Sequence, residues 1–210
     1  MKKVAILLDG GFVLKRLYTL LGRTHATAAD VIEFSRRCVD DSEELFRVYY
    51  YDCPPSDKKM SNPLQPETTI DFASSRTAHR IRRLQSELAE SDLVAFRKGH
   101  LSFDGLGLSP NSTRRLLKDA DSPNPVQACD LKPGFRQKQV DMKIGLDVAW
   151  LASKNLVDRI LLVGGDADFV PAMKFARREG TQVVLVPMGS GYIPRALKEH
   201  ADFVREVPFP

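Results

Sequence analysis

Cysteine is scarce in this chain of 210 residues: Cys38, Cys53 and Cys129 are odd in number and show no CxxC spacing. That argues against a disulfide framework and against a structural zinc site, and it suits a reducing compartment. Histidine is equally sparse. His25, His79, His100 and His200 fall in unrelated segments, which leaves a Ser-His-Asp triad and paired imidazole ligands unsupported. No apolar run approaches membrane-spanning length, and Met1-Lys2-Lys3 passes directly into a short strand-like run, too short for a signal-peptide core. The first such run is not followed by a DxDxT nucleophile motif, and no GxxxxGK[ST] phosphate loop occurs. The chain also has no internal repeat and no heptad seam. These absences predict a cytoplasmic protein with no membrane segment, and they leave a homo-oligomer open without naming an interface.

What is present is an ordinary globular composition. Hydrophobic residues make up 43% and charged residues 28%, enough of the former to build a core and so to argue against disorder. The length fits one large domain over residues 1–210. The net charge of +4 suits an anionic partner and matters mainly because the sequence also predicts an acidic pocket.

Short apolar runs recur at 4–8, 45–51, 93–96, 160–163 and 183–186, and helical periodicity fills most of the intervals. The alternation predicts an α/β fold with a parallel sheet wound by crossover helices. Helices are expected just after Gly10-Gly11 and over 28–39, 76–90 and 139–153. The third carries Arg76, Arg80, Arg82 and Arg83, a face that either meets phosphates or is simply solvated. Segments 54–66 and 104–136, rich in Pro, Gly, Ser and Asn, read as long loops, and the second offers Arg114 and Arg115 as candidate substrate contacts. Tyr49, Tyr50 and Tyr51 are expected to pack within the second strand, with base stacking by Tyr51 as the minority reading.

Four aspartates stand where ligands gather in such folds, beyond the carboxyl ends of parallel strands. Asp9 closes the first apolar run, Asp166 and Asp168 follow Ile160-Leu161-Leu162-Val163, and Asp141 opens a helix. Each alone reads as a turn or cap residue. Together, with no Lys or Arg between them, they would repel one another unless a cation such as Mg²⁺ or Mn²⁺ held them. The pattern suggests a metal-dependent phosphodiesterase. Asp147 lies six residues beyond Asp141, which at about 100° per residue puts it on a different face of the helix.

Three segments, VAILLDGG at 4–11, KQVDMKIGLD at 138–147 and LLVGGDADFVP at 161–171, resemble the signature of the NYN domain family, a branch of the PIN-like ribonucleases. The resemblance implies a three-layer α/β/α sandwich with a central, mostly parallel sheet. It also implies divalent metal bound by Asp9, Asp141, Asp166 and Asp168 as the catalytic cluster, and RNA as substrate. Asp147 and Lys138 correspond to secondary positions of the family pattern. Lys138 either neutralises a phosphate or stands solvated, and Arg195 either holds a phosphate at a helix start or merely begins the helix. Two departures stand out. Gly164 replaces the serine the family often has before Gly-Asp, and Gly10-Gly11 follows Asp9 where an asparagine is common. The expected activity is metal-dependent hydrolysis of RNA; the alternative is a non-catalytic RNA-binding module that keeps the acidic pocket.

Overall fold

The computed structural model describes residues 1–118 and 126–210. In chain order the elements are β1 (Lys2–Asp9), α1 (Gly10–Leu20), α2 (Ala28–Arg37), β2 (Glu43–Asp52), β3 (Lys59–Asn62), β4 (Gln65–Asp71), α3 (Arg76–Ala89), β5 (Val94–Lys98), β6 (His100–Leu108), α4 (Pro110–Lys118), β7 (Leu131–Lys138), α5 (Val140–Ser153), β8 (Arg159–Val163), α6 (Val170–Arg178), β9 (Gln182–Val186), α7 (Arg195–His200) and β10 (Phe203–Val204). Six strands form one parallel sheet in the order β10-β9-β8-β1-β2-β5. The chain winds outward from β1 to β5, then returns to the other side of β1 to lay down β8, β9 and β10. The strand order therefore reverses between β1 and β8, where such sheets open a ligand crevice.

β1 is apolar along its length because it is covered on both faces. Val4, Ile6 and Leu8 point toward α1, α2 and α3, meeting Val13, Leu17, Val31, Phe34, Leu84 and Leu88. Ala5 and Leu7 point the other way, into a second core with Ile144, Val148 and Leu151 of α5, Met173 of α6 and Leu197 of α7. This is the three-layer α/β/α sandwich, with the tyrosines divided by the same alternation: Tyr50 in the first core, Tyr49 and Tyr51 in the second. Tyr51 is fully buried and so is not placed to stack on a base, which corrects the stacking reading. Local signals set the helix starts. Thr27 and Asp30 form a capping box on α2, Ser75 caps α3, and Pro171 sits in the first turn of α6.

The two expected loops are corrected in large part. Within 54–66 the chain forms β3 and enters β4, which pair as an antiparallel hairpin. Within 104–136 it completes β6, forms α4 and most of β7, and β6 pairs with β7; residues 119–125 of that segment lie outside the described residues. These two ribbons pair with none of the strands of the main sheet. Neither of their faces is deeply buried, so no apolar alternation marks them, and a two-stranded ribbon tolerates the Pro and Gly that read as loop. At Gly105, with φ of 93°, the register shifts between Phe103 and Leu106, a bulge that a glycine permits. Among the described residues no helix is long and apolar enough to cross a membrane.

At the amino-terminal edge of the sheet, the buried Glu43 carboxylate joins four strands. It accepts hydrogen bonds from Arg159 at the start of β8, from both terminal nitrogens of Arg205 just after β10 (2.8 and 2.9 Å), and from the Asp40 amide (2.9 Å). Arg159 in turn donates to Gln182 of β9 at 2.8 and 3.1 Å. Burial pushes the Glu43 carboxyl upward, but the hydrogen bonds from Arg205, Asp40 and Arg159 outweigh it and bring it down to about 2. A depressed carboxyl stabilises the fold above its unfolded value near 4.5, and that contribution disappears as pH falls through about 2. Glu43→Gln, which takes the carboxylate from Arg159 and leaves Arg205 with Asp40 alone, is expected to cost about 3 kcal/mol at neutral pH. In urea titrations over a pH series, the gap between wild type and variant should close between about 4.5 and 2; a gap independent of pH would refute this account of the network.

Candidate metal centre

The carboxyl edge at the β1/β8 reversal collects the acidic residues. Asp9 ends β1 and also caps α1, its Oδ1 accepting from the Phe12 amide at 3.3 Å. The turn from strand to helix is tight: a Cβ on Gly10 would stand 2.6 Å from the Tyr51 carbonyl oxygen and 2.9 Å from Asp52 Cβ, so β1 can lie this close to β2 only if residue 10 is glycine. Across the reversal, Gly164-Gly165 lead from β8 into Asp166, whose Oδ1 accepts from the Asp168 amide at 3.0 Å as a short 3₁₀ turn begins. Both glycines have packing reasons. A Cβ on Gly164 would meet the Phe169 ring at 2.8 Å, and one on Gly165 would meet the Phe12 ring at 2.9 Å. The departure from serine at 164 is thus coupled to how the buried Phe169 seats itself.

Asp141 arrives from a third segment, in the first turn of α5. Gln139, just before that helix, adopts a φ of 72°, a conformation uncommon for a residue with a side chain and one that clusters at functional sites. The charge of Asp141 bears on Asp9, and those of Asp166 and Asp168 bear on Asp141. Partial burial raises the Asp141 carboxyl above its ordinary range, and the charges of Asp166 and Asp168 raise it further. Asp9 is pushed up to about 6, first by burial and then, against the Phe12 and Gly11 amides, by the charges of Asp141 and Asp52.

Asp52 was not among the sequence candidates. It ends β2 as Asp9 ends β1, and that repeated placement of an acid after an apolar strand was the signal available. It is 5% exposed and accepts hydrogen bonds from the Cys53 amide (2.8 Å), Gln85 (3.0 Å) and Gln137 (3.3 Å). Burial raises its carboxyl despite these donors. Beside it the Tyr50 hydroxyl is buried, its ionisation held off first by burial and then by the charges of Asp52 and Asp9.

The remaining candidates divide. Asp147 does not join the cluster: its oxygens accept from Arg97 at 2.9 and 3.1 Å and from the Tyr51 hydroxyl at 2.8 Å. This corrects its place as a secondary candidate, and the reason is its position on another face of α5. Lys138 ends β7, exposed, two residues before α5 begins. Arg195 opens α7 and pairs with Glu199 at 2.6 Å. Arg114 and Arg115 lie on α4, past the distal end of the β6–β7 ribbon, roughly 25 Å along the strand from Lys138. The Arg115 guanidinium is committed to Asp130 at 2.6 Å, which removes it from the free substrate contacts.

Hard carboxylate oxygens gathered without a pairing cation are a donor set for Mg²⁺ or Mn²⁺. Among the described residues no three Asp, Glu, His or Cys groups come together closely enough to hold an ion unaided. A cation held here would keep several of its waters, the habit of Mg²⁺.

The sequence model of the NYN domain matches residues 72–206, a span that includes Asp141, Asp166 and Asp168. The chain belongs to the NYN domain family. With that family comes a PIN-like, nuclease-type fold. An uncharacterized protein of Methanocaldococcus jannaschii is 31% identical over 81 residues, which is 37% of this chain and 33% of that protein. The chain thus matches about a third of that relative's length. A protein of unknown function from Vibrio parahaemolyticus, known from its crystal structure, is similar in fold, with a TM-score of 0.52 at 16% identity over 99% of this NYN chain and 93% of the other.

The raised Asp9 carboxyl has a measurable consequence. A group whose folded pKa is raised stabilises the fold below its unfolded value, near 3.8, and that stability is lost as pH rises through about 6. With divalent metal chelated at pH 8, Asp9→Asn, which can still cap α1, is expected to be more stable than wild type by about 1–3 kcal/mol. The difference should fade below pH 6. A melting-temperature series in EDTA checks it, and an equally or less stable variant at pH 8 would count against the account.

Proposed function

We propose that this NYN-domain protein is a divalent-metal-dependent ribonuclease that hydrolyses RNA phosphodiester bonds at the Asp9, Asp141, Asp166 and Asp168 cluster. The observation that carries the reading is the convergence of aspartates from three distant segments at the sheet reversal, where the charge of Asp141 bears on Asp9 and those of Asp166 and Asp168 bear on Asp141. A fold gains no stability from unpaired carboxylates so arranged, and a crevice at that place in an open sheet is where ligands bind.

When bound, Mg²⁺ or Mn²⁺ would supply an activated water and offset charge on the leaving oxygen. Asp9, Asp166 and Asp168 hold the ion directly or through its waters, and Asp141 is a ligand or orients a water. Lys138, beside the start of α5, contacts the substrate phosphate next to the scissile bond, helped by the positive end of that helix. Arg195 and Arg114 engage flanking phosphates along a bound strand. The protein acts in the cytoplasm on RNA.

The test is cleavage of labelled single-stranded and structured RNA with and without Mg²⁺ or Mn²⁺, comparing wild type with Asp141→Asn and Asp166→Asn purified in parallel. Products that need the metal, falling about 10²–10³-fold in either variant, are the expected result, since that is the usual cost of removing one electrostatic contributor. Salt-sensitive RNA binding without turnover by wild type would replace the enzyme by a binding module that retains the pocket.

A further inference from the structure

Next to the aspartate cluster, on the α1–α3 side of the sheet, a cleft of about 390 Å³ opens between α1, α3 and the two ribbons. Its volume is within the roughly 300–1,000 Å³ of small-molecule sites. Its walls are of two kinds. Phe72, just after β4, and Phe135 of β7 line it together, their ring centroids 5.0 Å apart and their planes nearly perpendicular at 82°. Phe103 of β6 buttresses both, at 5.8 and 5.2 Å. The polar wall is Asp52 with Gln137, joined to each other by a hydrogen bond.

The cleft shares a wall with the cluster. Gly11 lines it, and a Cβ placed on Gly11 would lie 3.5 Å from Asp9 Oδ1 and 3.6 Å from Gln137 Oε1. A molecule seated in the cleft is therefore adjacent to whatever phosphate the aspartates engage.

An aromatic wall for a ring face, an edge of carboxylate and amide, and a phosphate site alongside match the parts of one nucleotide. We propose that this cleft receives an unpaired nucleobase of the RNA, stacked on the Phe72–Phe135 wall with its polar edge toward Asp52 and Gln137. The inference rests on the RNA reading above and adds to it a preference for single strands. A base within a duplex is stacked between its neighbours and cannot enter, whereas an unpaired base presents both faces and its pairing edge. Phe135 and Gln137 are then specificity-determining residues, Phe135 lying in the segment 104–136 that the sequence alone presents as loop and Gln137 just beyond it.

Binding separates this inference from the activity. A short labelled oligoribonucleotide and a set of versions lacking one base at successive positions, all of equal charge, are titrated with the full chain by fluorescence anisotropy in EDTA. Wild type is expected to bind the oligomer that lacks the critical base about tenfold more weakly than the intact one, the scale of one base–aromatic stack. Phe135→Ala should weaken the intact oligomer by a similar factor and abolish the penalty for the missing base, and Phe135→Trp should restore both. Gln137→Ala, at an exposed side chain, provides a second variant should Phe135→Ala fail to fold. Equal affinity of wild type for the intact and all base-lacking oligomers would overturn the cleft assignment while leaving metal-dependent cleavage standing. Tighter binding of a duplex of the same length would overturn it too. No RNA binding together with no cleavage would overturn the ribonuclease reading and this inference at once.

Discussion

The Asp9 carboxylate is held at the middle of the sheet's carboxyl edge with more negative than positive charge around it. Burial and the charges of Asp141 and Asp52 oppose its ionisation, while two amides at the start of α1 favour it. Most of the local structure serves that arrangement. Gly10 lets β1 run close to β2 before the chain turns into α1, and Gly164 and Gly165 let the strand–turn after β8 settle against Phe169 and Phe12. A strained Gln139 precedes the helix that carries Asp141. Sites that keep like charges together give up stability for function.

The opposite edge of the same sheet shows what carboxylates do when stability alone is served. Glu43 is more deeply buried than Asp9, yet its carboxyl is driven down where that of Asp9 is driven up. The difference is two guanidinium groups: Arg159 and Arg205 reach Glu43, and among the described residues no ion pair reaches Asp9. The buried Glu43 network thus lies at the amino ends of the strands, and Asp9 lies at the carboxyl ends without an ion pair among the described residues.

How much of this is legible in the sequence depends on burial. The buried parallel strands and the helices that cover them carry their periods openly, so β1, β2, β5, β8 and β9 and the helices α1, α2, α3 and α5 are where the pattern puts them. The ribbons β3–β4 and β6–β7 bury too little of either face to write an alternation, and β10, two residues long, is too short to write one. In the site, Asp9, Asp141, Asp166 and Asp168 announce themselves by following or opening apolar elements. Asp52 obeys the same rule but is hidden by context, since Tyr49-Tyr50-Tyr51 before it and Cys53-Pro54 after it draw the eye to packing and to a turn. Arg97, which claims Asp147, has no local signal at all, because a partner across the fold is set by the register of β2 and β5.

The strand order also has a temporal meaning. β1 is made before the other strands of this sheet, but one of its two neighbours, β8, comes only after β2 and β5, with Leu8 pairing to Val163. Contacts so distant in sequence form late and slowly. Until they do, the chain owns Asp9 without Asp166 or Asp168, and β1 keeps one edge bare. The acidic cluster is thus a certificate of completion: a growing chain has three of the six strands, β1, β2 and β5, before Asp166 and Asp168 follow β8 and bring the charges together.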